Sequence, residues 1–510
     1  MRKALLVILG SLLLAPALLV RHAGMAALSA TSQPGPAPGT TAERGPERGA
    51  SAPPGRLNKL NVVALDGQGR PVTGLRSADI QLFEDEKPRD IAFLRFTGDR
   101  ALLAKRDPRE FSNRAGAARH VTVILIDLLS DPIMNGSVLT REVADALGHL
   151  ESSDGLYLYA LAARGELYPI HPLPKAGAET TPAAEPWTGD IGPTLQAALK
   201  DLVHLKPVDD REIKVRFELT VNALRDLGSQ LAQVSGRKNL VWLTRGIPIT
   251  GYSISAQSTM DFTKPLRRLC EELEQAQIVV YTVEQSVAGA AVETERAETF
   301  DTFTGVTGGR EYSSDRAADA IQQAITDSRA NYEIVYYSLL NPDGKHHKIR
   351  VTCGRSDVRL QTKPGFYAVA PPGSPGGPAP GALQLGETTA DGPFDATDIG
   401  LRASVSPDPA NARNMRFEIH IDPADLLPRP TSDQDTRNMF VMFAAYDEGL
   451  KQPSRPIVDS LSPEELEAAT HSEDGLRYAV PLEQAIHKVR VIVFDAELGA
   501  AGSVTIPIQH

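Results

Sequence analysis

The sequence predicts an α/β protein in which a doubly wound, mostly parallel sheet is inserted in a β-sandwich and followed by a C-terminal immunoglobulin-like β-sandwich. Two observations predict the central sheet: one continuous apolar run, and the alternation of strand-like and helix-like segments after it. A third observation predicts the sandwiches, because the flanking segments alternate apolar and polar residues between turn-forming residues.

The apolar run extends from Val121 to Ile126 without polar alternation. Such a run is typical of a strand that is covered on both faces, as in a parallel sheet flanked by helices. It ends at Asp127, and ligands of open α/β sheets collect at the carboxyl ends of strands. Asp127 is therefore the first candidate for a functional site.

Further elements follow this strand in alternation. Some segments have apolar residues at helical spacing, and others are continuous strand-like runs. The predicted helices cover 140–150, 191–205, 208–234, 262–275 and 316–328, and the predicted strands cover 156–162, 238–244, 277–283 and 332–339.

The flanking segments have β-strand patterns. Residues 57–96 alternate apolar and polar side chains, and 332–367 form a β-rich return with a turn at Asp343-Gly344. We expect these two segments to pack as one sandwich. Extended runs spaced by turn residues between 399 and 495 predict the C-terminal sandwich, whose topology stays open.

The 510 residues exceed what a single core usually organises, so several units are expected. Arg2, Lys3, an apolar run and Ala15-Pro16-Ala17 predict a signal peptide or an uncleaved anchor. The protein is therefore expected to be exported, whether periplasmic, surface-exposed or secreted. The predicted segments are 1–30 signal or anchor, 31–56 Pro/Gly/Ala-rich tether, 57–117 β unit, 118–330 α/β domain, 331–370 β return, 371–393 linker and 394–510 C-terminal sandwich.

The net charge argues against two kinds of partner. The formal net charge is -11, and no basic stripe is present, which argues against nucleic acid or anionic lipid as the main partner. Contact with a membrane is expected only through an uncleaved N-terminal segment.

The two cysteines, Cys270 and Cys353, are predicted to be core thiols, although their pairing cannot be deduced from sequence.

Five segments in order carry a resemblance to a known family, across roughly residues 58 to 370. They are GRPVTGLRSADIQLFEDEKP (69–88), SGRKNLVWLTRGIP (235–248), TGGREY (307–312), DGKHHKIRV (343–351) and KPGFYA (363–368). The chain resembles secreted bacterial proteins with a von Willebrand factor A (VWA)-like domain, of the Acidobacterial VWFA-related group. The resemblance implies a VWA/Rossmann-like sheet at the centre of the fold.

The resemblance also implies a metal-ion-dependent adhesion site in the pattern Asp-x-Ser-x-Ser, joined by a distant Thr and an Asp. Asp127 matches the first position, but Leu129 and Asp131 replace the two serines, and Ser130 is one residue out of phase. Thr194 matches the distant threonine. Arg245 replaces the second aspartate, so the implied site is degenerate.

Two interpretations of this degenerate site stay open. In the first, Arg245 excludes the metal and forms an ion pair with Asp127 or Asp131, for which its planar guanidinium is suited. In the second, Arg245 turns to solvent, and Mg²⁺ or Mn²⁺ is held by oxygens of Asp127, Ser130, Asp131 and Thr194. Otherwise no cofactor is expected.

Catalysis has little support in the sequence. No nucleophile elbow or Walker loop occurs, and adjacent His346 and His347 point to opposite faces of a strand. By analogy of fold, we expect a non-enzymatic module that binds a protein or a cell-surface polymer. The alternatives are a metal-independent scaffold or assembly factor of the cell envelope, and a hydrolase with an unrecognised site.

Overall fold

The computed structural model describes most of the chain after the N-terminal region. The described residues are 56–98, 109–114, 120–130, 155–174, 191–203, 213–247, 249–253, 258–284, 293–312, 317–338, 343–368, 380–411, 413–426, 439–447, 454–473, 475–482 and 485–508. The predicted signal or anchor, the tether as far as 55, the first predicted helix (140–150), the linker as far as 379 and Asp131 lie outside them.

Strands are more numerous than helices in the described residues. The strands are β1 Arg56–Asp66, β2 Ile80–Glu84, β3 Lys87–Arg89, β4 Ile91–Phe96, β5 Phe111–Ser112, β6 Val121–Asp127, β7 Leu156–Leu161, β8 Leu167–His171, β9 Lys238–Thr244, β10 Thr250–Ser253, β11 Ser258–Asp261, β12 Ile278–Glu284, β13 Glu311–Tyr312, β14 Asn331–Ser338, β15 His346–Cys353, β16 Val358–Gln361, β17 Gly365–Tyr367, β18 Leu401–Pro407, β19 Asn414–Ile421, β20 Met439–Asp447, β21 Ser454–Ser460, β22 Leu476–Pro481, β23 Ile486–Asp495 and β24 Ala500–Pro507. The helices are α1 Ile191–Val203, α2 Ile213–Ala232, α3 Thr263–Gln275, α4 Glu293–Thr307, α5 Ala317–Arg329, α6 Pro380–Asp391 and α7 Pro463–His471.

One sheet has mixed strand directions, in the order β13-β12-β9-β6-β7-β8. Its pairs are parallel except for β7 with β8. Every residue of β6, β7 and β9 is buried, because apolar clusters cover both faces of the sheet. Helices α2 and α3 pack on one face, and α1 and α5 on the other.

Two antiparallel sheets form a sandwich around the start of the described chain. Their orders are β16-β1-β14-β4 and β17-β15-β2-β3. Strand β1 pairs with β14 in a register that places Leu60 opposite Ile334. Alternate side chains of β1, β2, β14 and β15, among them Leu60, Leu82 and Ile349, meet in one buried apolar cluster, as expected for two sheets packed face to face.

Two further antiparallel sheets form the C-terminal sandwich, in the orders β22-β19-β18-β5 and β21-β20-β23-β24. Strand β5 comes from far upstream, because Phe111 pairs with Ala403. Phe93 and Val335 of the first sandwich join the same apolar cluster. The C-terminal sandwich is therefore not closed within residues 394–510, and two buried residues of the first sandwich pack into its core.

The fold class predicted from the sequence is wrong for the described chain. Five of the six sheets contain only antiparallel pairs, so the protein is predominantly antiparallel β and not an α/β protein built on a doubly wound, VWA/Rossmann-like sheet. The uninterrupted apolar runs are the clearest strand pattern in the sequence, but they form strands of the mixed sheet alone. The segment predicted as a linker includes helix α6, which packs against β23 and β24.

Within the described residues, no helix is both long enough and apolar enough to cross a lipid bilayer.

Candidate functional site

Asp127 ends β6 and is completely buried. Its Oδ1 accepts hydrogen bonds from the backbone N–H groups of Leu129 (3.1 Å) and Ser130 (2.9 Å). Its Oδ2 accepts one from the hydroxyl of Thr244 at 2.6 Å. The carboxylate therefore holds the turn after β6 and joins it to the end of the neighbouring strand β9.

Ser130 and Thr244 extend this arrangement into a network between two turns. Ser130 Oγ donates to the carbonyl of Asp127 (3.3 Å) and accepts from the backbone N–H of Arg245 (3.2 Å). The hydroxyl of Thr244 accepts from the N–H of Gly246 at 3.0 Å. We call Asp127, Ser130, Thr244 and these backbone groups the Asp127 network.

Burial raises the pKa of Asp127, because an ionised carboxylate loses its hydration in the interior. Hydrogen bonds from Thr244 and Ser130 favour the ionised form, as does the positive charge of Arg216, but they do not outweigh burial. The raised pKa of Asp127 therefore reflects a cost of burial that its hydrogen bonds offset only in part.

The structure brings together only some of the predicted site residues. Asp127 and Ser130 are adjacent in the network, and Arg245 contributes its backbone N–H. Thr194 lies in helix α1, but its side chain, like the whole of Asp131, lies outside the described residues. The predicted ion pair of Arg245 with Asp127 or Asp131 therefore stays a prediction. Thr244 was missed, because a threonine in a buried β run looks like a strand-forming residue.

The described part of this site offers few free oxygen positions to a divalent cation. Oδ1 of Asp127 accepts two hydrogen bonds and Oδ2 accepts one, so one lone pair of Oδ2 remains for Mg²⁺ or Mn²⁺. Among the described residues, no group of three or more His, Cys, Asp or Glu side chains could hold a metal ion. A metal site stays a prediction that depends on Asp131 and Thr194.

A cleft of about 740 Å³ lies at the opposite end of the mixed sheet. Lys238 and Ile278, the first residues of β9 and β12, lie on its wall, whereas Asp127 and Thr244 end their strands. Its other walls come from β1, α3, the end of α4, β17 and α6. The cleft therefore lies where several elements of the fold meet, at the amino ends of β9 and β12 and not at the carboxyl ends, where Asp127 lies.

Paired charges and aromatic rings line one side of the cleft. Arg267 Nε lies 3.6 Å from Glu271 Oε1, and Lys363 forms an ion pair with Glu274. The guanidinium of Arg267 lies over the ring of Tyr367, 4.4 Å from its centroid, and the ring of His346 contacts Tyr367 edge-on at 5.1 Å. Burial raises the pKa of Glu271 and lowers that of His346.

Lys238 is a buried lysine on the cleft wall. Burial lowers its pKa to about 7, and a negative charge on Asp398 opposes this effect. Its Nζ donates to the carbonyl of Val234 at 2.8 Å, just beyond the end of α2. The side chain therefore satisfies a carbonyl at a helix terminus, as basic residues often do.

His347 connects two turns outside the cleft. Its Nδ1 lies 2.7 Å from Asp85 Oδ2, and its Nε2 lies 3.1 Å from Asp343 Oδ1. The hydrogen bond to Asp85 is the main reason that the pKa of His347 is raised, and it also lowers the pKa of Asp85. The two ring nitrogens point in different directions, each toward its own carboxylate, so the three groups cannot ligate one metal together.

This geometry predicts a pH dependence of stability. Since the folded state raises the pKa of His347 above the unfolded value of about 6.5, its contribution is fully present below that pH. The contribution is lost as pH rises through the folded pKa. Urea unfolding of the parent and His347→Gln between pH 5 and 9 should therefore show a difference that shrinks as pH rises. A pH-independent difference would contradict the prediction.

The cleft could not be found from the sequence, because its lining residues range from Leu57 to Gly499. No contiguous motif contains them. Four of the five quoted segments, SGRKNLVWLTRGIP, TGGREY, DGKHHKIRV and KPGFYA, place residues on the cleft wall, but nothing in them indicates that they meet.

No family model and no curated protein matches this chain. Similar solved structures include the PilB minor pilin from Streptococcus sanguinis, with 12% identity over 41% of this chain and 62% of that chain and a TM-score of 0.26. They also include the pilus adhesin SpaC from Lactobacillus rhamnosus GG in an open conformation, with 8% identity, coverages of 86% and 57% and a TM-score of 0.27. The chain spans less than two thirds of the length of either. The TM-scores are too low to establish a shared fold, and these comparisons lend no support to the VWA-like family or its adhesion site.

Proposed function

We propose that this protein is an exported, non-catalytic binding module that takes a segment of a protein or cell-surface polymer into the cleft. The observation that carries the proposal is the cleft itself, which is about 740 Å³ in volume and is walled by residues from the first sandwich, the mixed sheet, α3, α4 and α6. That volume is within the range of ligand-binding sites. The predicted signal or anchor at 1–30 supports export.

The described side chains on the cleft wall favour binding over catalysis. Glu274 is engaged by Lys363, Glu271 lies beside Arg267, and the amine of Lys238 donates to a backbone carbonyl. Cys270 lies in the core as a free thiol, and burial raises its pKa, which suppresses the reactive thiolate. These groups support the positions of the cleft walls and are poorly placed as nucleophiles.

A bulky side chain at Gly305 tests whether the cleft is the binding surface. Gly305 lies in α4 on the cleft wall, and a Cβ added there meets no atom within 4 Å. Gly305→Trp should therefore place a bulky ring in the cleft without disturbing the helix, since glycine is a poor helix former. We expect affinity for any bound polymer to fall by about tenfold or more, equivalent to about 1.4 kcal/mol.

The measurement is solid-phase binding to immobilised chitin, cellulose, peptidoglycan sacculi, collagen and fibrinogen. Gly67→Trp is the matched control, because Gly67 is exposed in the turn after β1 and an added Cβ there also meets no atom within 4 Å. Circular dichroism verifies that both variants fold. Equal binding by the parent and Gly305→Trp would place the binding surface elsewhere, and failure of the parent to bind any of these polymers would count against the proposal.

A further inference from the structure

We infer that the cleft takes an extended polypeptide segment, which pairs as an added strand with an open edge of β1. This inference rests on the proposed function, in which the cleft is the binding surface, and it names the chemical class of the partner and the way it is held. Three observations support it: backbone groups of β1 that no described strand uses, apolar side chains from separate cores on the cleft wall, and an exposed carboxylate.

Strand β16 covers only part of the outer edge of β1, the edge that faces away from β14. On its inner edge, β1 pairs with β14 from Arg56 to Val63. On its outer edge, it pairs with β16 only from Val63 to Asp66. Strand β16 ends at Gln361, and the chain continues to β17 in the opposite sheet. Among the described strands, none therefore pairs with the outer edge of β1 over residues 57–62.

The unpaired backbone groups belong to every second residue of β1. The N–H of Ala64 donates to the carbonyl of Ala330, which precedes β14, at 3.1 Å. Because direction alternates along a strand, even-numbered residues of β1 bond toward β14 and odd-numbered residues toward the outer edge. The carbonyl of Asn61 agrees with this, since it accepts from the hydroxyl of Thr362 at 2.8 Å. The backbone groups of Leu57 therefore also point to the outer edge, as do those of Lys59.

This open edge lies on the cleft wall. Five consecutive residues of β1, 57–61, line the cleft. Successive side chains of a strand point to opposite faces of the sheet, so consecutive residues reach one cavity along the edge of the strand. Among the described residues, no hydrogen bond uses the backbone N–H and C=O groups of Leu57 and Lys59 on this edge. These groups are ladder positions that a second polypeptide backbone can fill.

Apolar side chains from three separate cores reach the same cleft. They are half-buried and pack on the cores of the mixed sheet, the C-terminal sandwich and helix α6, in that order: Val306 and Phe394, Leu57, and Leu385. Protein partners usually gain their affinity from apolar anchors buried in pockets. Since an extended segment places alternate side chains on one face, we expect alternate residues of the partner to be apolar.

The charges on the wall favour a basic residue in the partner. Glu271 lies beside Arg267, and Lys363 engages Glu274. Asp301 is exposed on the same wall, and among the described residues no cation pairs with it. The guanidinium of Arg237 is half-buried and donates to neutral groups. The most exposed unpaired charge is therefore a carboxylate, which a lysine or arginine complements.

Amide hydrogen exchange of the free full chain tests whether the edge is open. Mass spectrometry with electron-transfer fragmentation reads the exchange residue by residue. We expect the amide of Lys59 to exchange about tenfold faster than that of Val63, which has the same direction but pairs with β16. Leu60 is the control for fraying of the strand, because its amide bonds toward β14 and should stay protected. Equal protection of Lys59 and Val63 would overturn the inference, since another segment or a second copy would already cover the edge.

A binding arm uses the fluorescein-labelled peptide Lys-Val-Thr-Val-Thr-Val-Thr-Lys and measures fluorescence anisotropy. Two further peptides carry N-methyl groups on all valines or on all threonines, so that each blocks hydrogen bonds along one edge of the strand. We expect the unmethylated peptide to bind, one methylated peptide to lose about tenfold or more in affinity, and the other to keep most of it.

The two failures can be told apart with Gly305→Trp, which should weaken binding of the unmethylated peptide. Equal affinities of the two methylated peptides, with binding that Gly305→Trp still weakens, would overturn strand addition and leave the cleft as the binding surface. The same holds if the unmethylated peptide does not bind but a polymer of the solid-phase assay binds in a way that Gly305→Trp weakens. Binding of peptide or polymer that Gly305→Trp does not alter would overturn the proposed function as well.

Discussion

Replacement of Arg95 by leucine is expected to lower the free energy of unfolding by about 3–5 kcal/mol, the usual cost of removing one partner of a buried ion pair. Arg95 is 3% exposed, and its Nη2 donates to Glu333 Oε1 at 2.7 Å. Its Nη1 donates to the carbonyl of Asp398 at 2.6 Å. Without the guanidinium, Lys59 at 3.8 Å is the one cation among the described residues that still pairs with the carboxylate of Glu333, which is 4% exposed.

The measurement is urea unfolding monitored by circular dichroism. Arg355→Leu is the matched control, because Arg355 also pairs with a carboxylate, that of Asp357 at 2.9 Å, but on the surface. We expect no measurable change in that variant. The double variant Arg95→Leu/Glu333→Leu should recover part of the loss, since it removes the stranded charge as well. A loss below about 1 kcal/mol in Arg95→Leu would mean that water reaches this carboxylate.

Local apolar pattern located individual strands well, but it did not determine the fold class. The run from Val121 predicts a buried strand, and β6 covers Val121–Asp127 with every residue buried. The class depends on which distant segments pair with each other. Strand β5 joins β18, and β1 joins β14, and neither pairing has a local signature.

The candidate site, too, was only partly predictable from local sequence. Sequence placed Asp127 at a strand end, because an acidic residue directly follows a buried run. It could not identify Thr244 as the donor to Asp127, since the two residues meet only when β6 and β9 align in parallel. The cleft is still harder to predict from the sequence, because its lining residues are spread along the chain from Leu57 to Gly499.

The Asp127 network can be tested by removing its central acceptor. Asp127→Ala is expected to lower the free energy of unfolding by about 2–4 kcal/mol, because it leaves buried N–H groups of Leu129 and Ser130 without their acceptor. Thr244 would lose its carboxylate partner as well. Urea unfolding of the variant and the parent, at one fixed pH, measures the difference.

Asp127→Asn separates a hydrogen-bonded turn from a metal site. Its carbonyl oxygen can accept the two backbone N–H groups, and its amide can donate to the hydroxyl of Thr244. The uncharged amide also avoids the cost of burying a charge, which is the main cause of the raised pKa of Asp127. We therefore expect Asn to cost no more than about 1 kcal/mol, and Mg²⁺ or EDTA to leave the parent's unfolding midpoint unchanged. Stabilisation of the parent by Mg²⁺ that Asp127→Asn abolishes would instead establish Asp127 as a metal ligand through the second lone pair of Oδ2, which no hydrogen bond among the described residues uses.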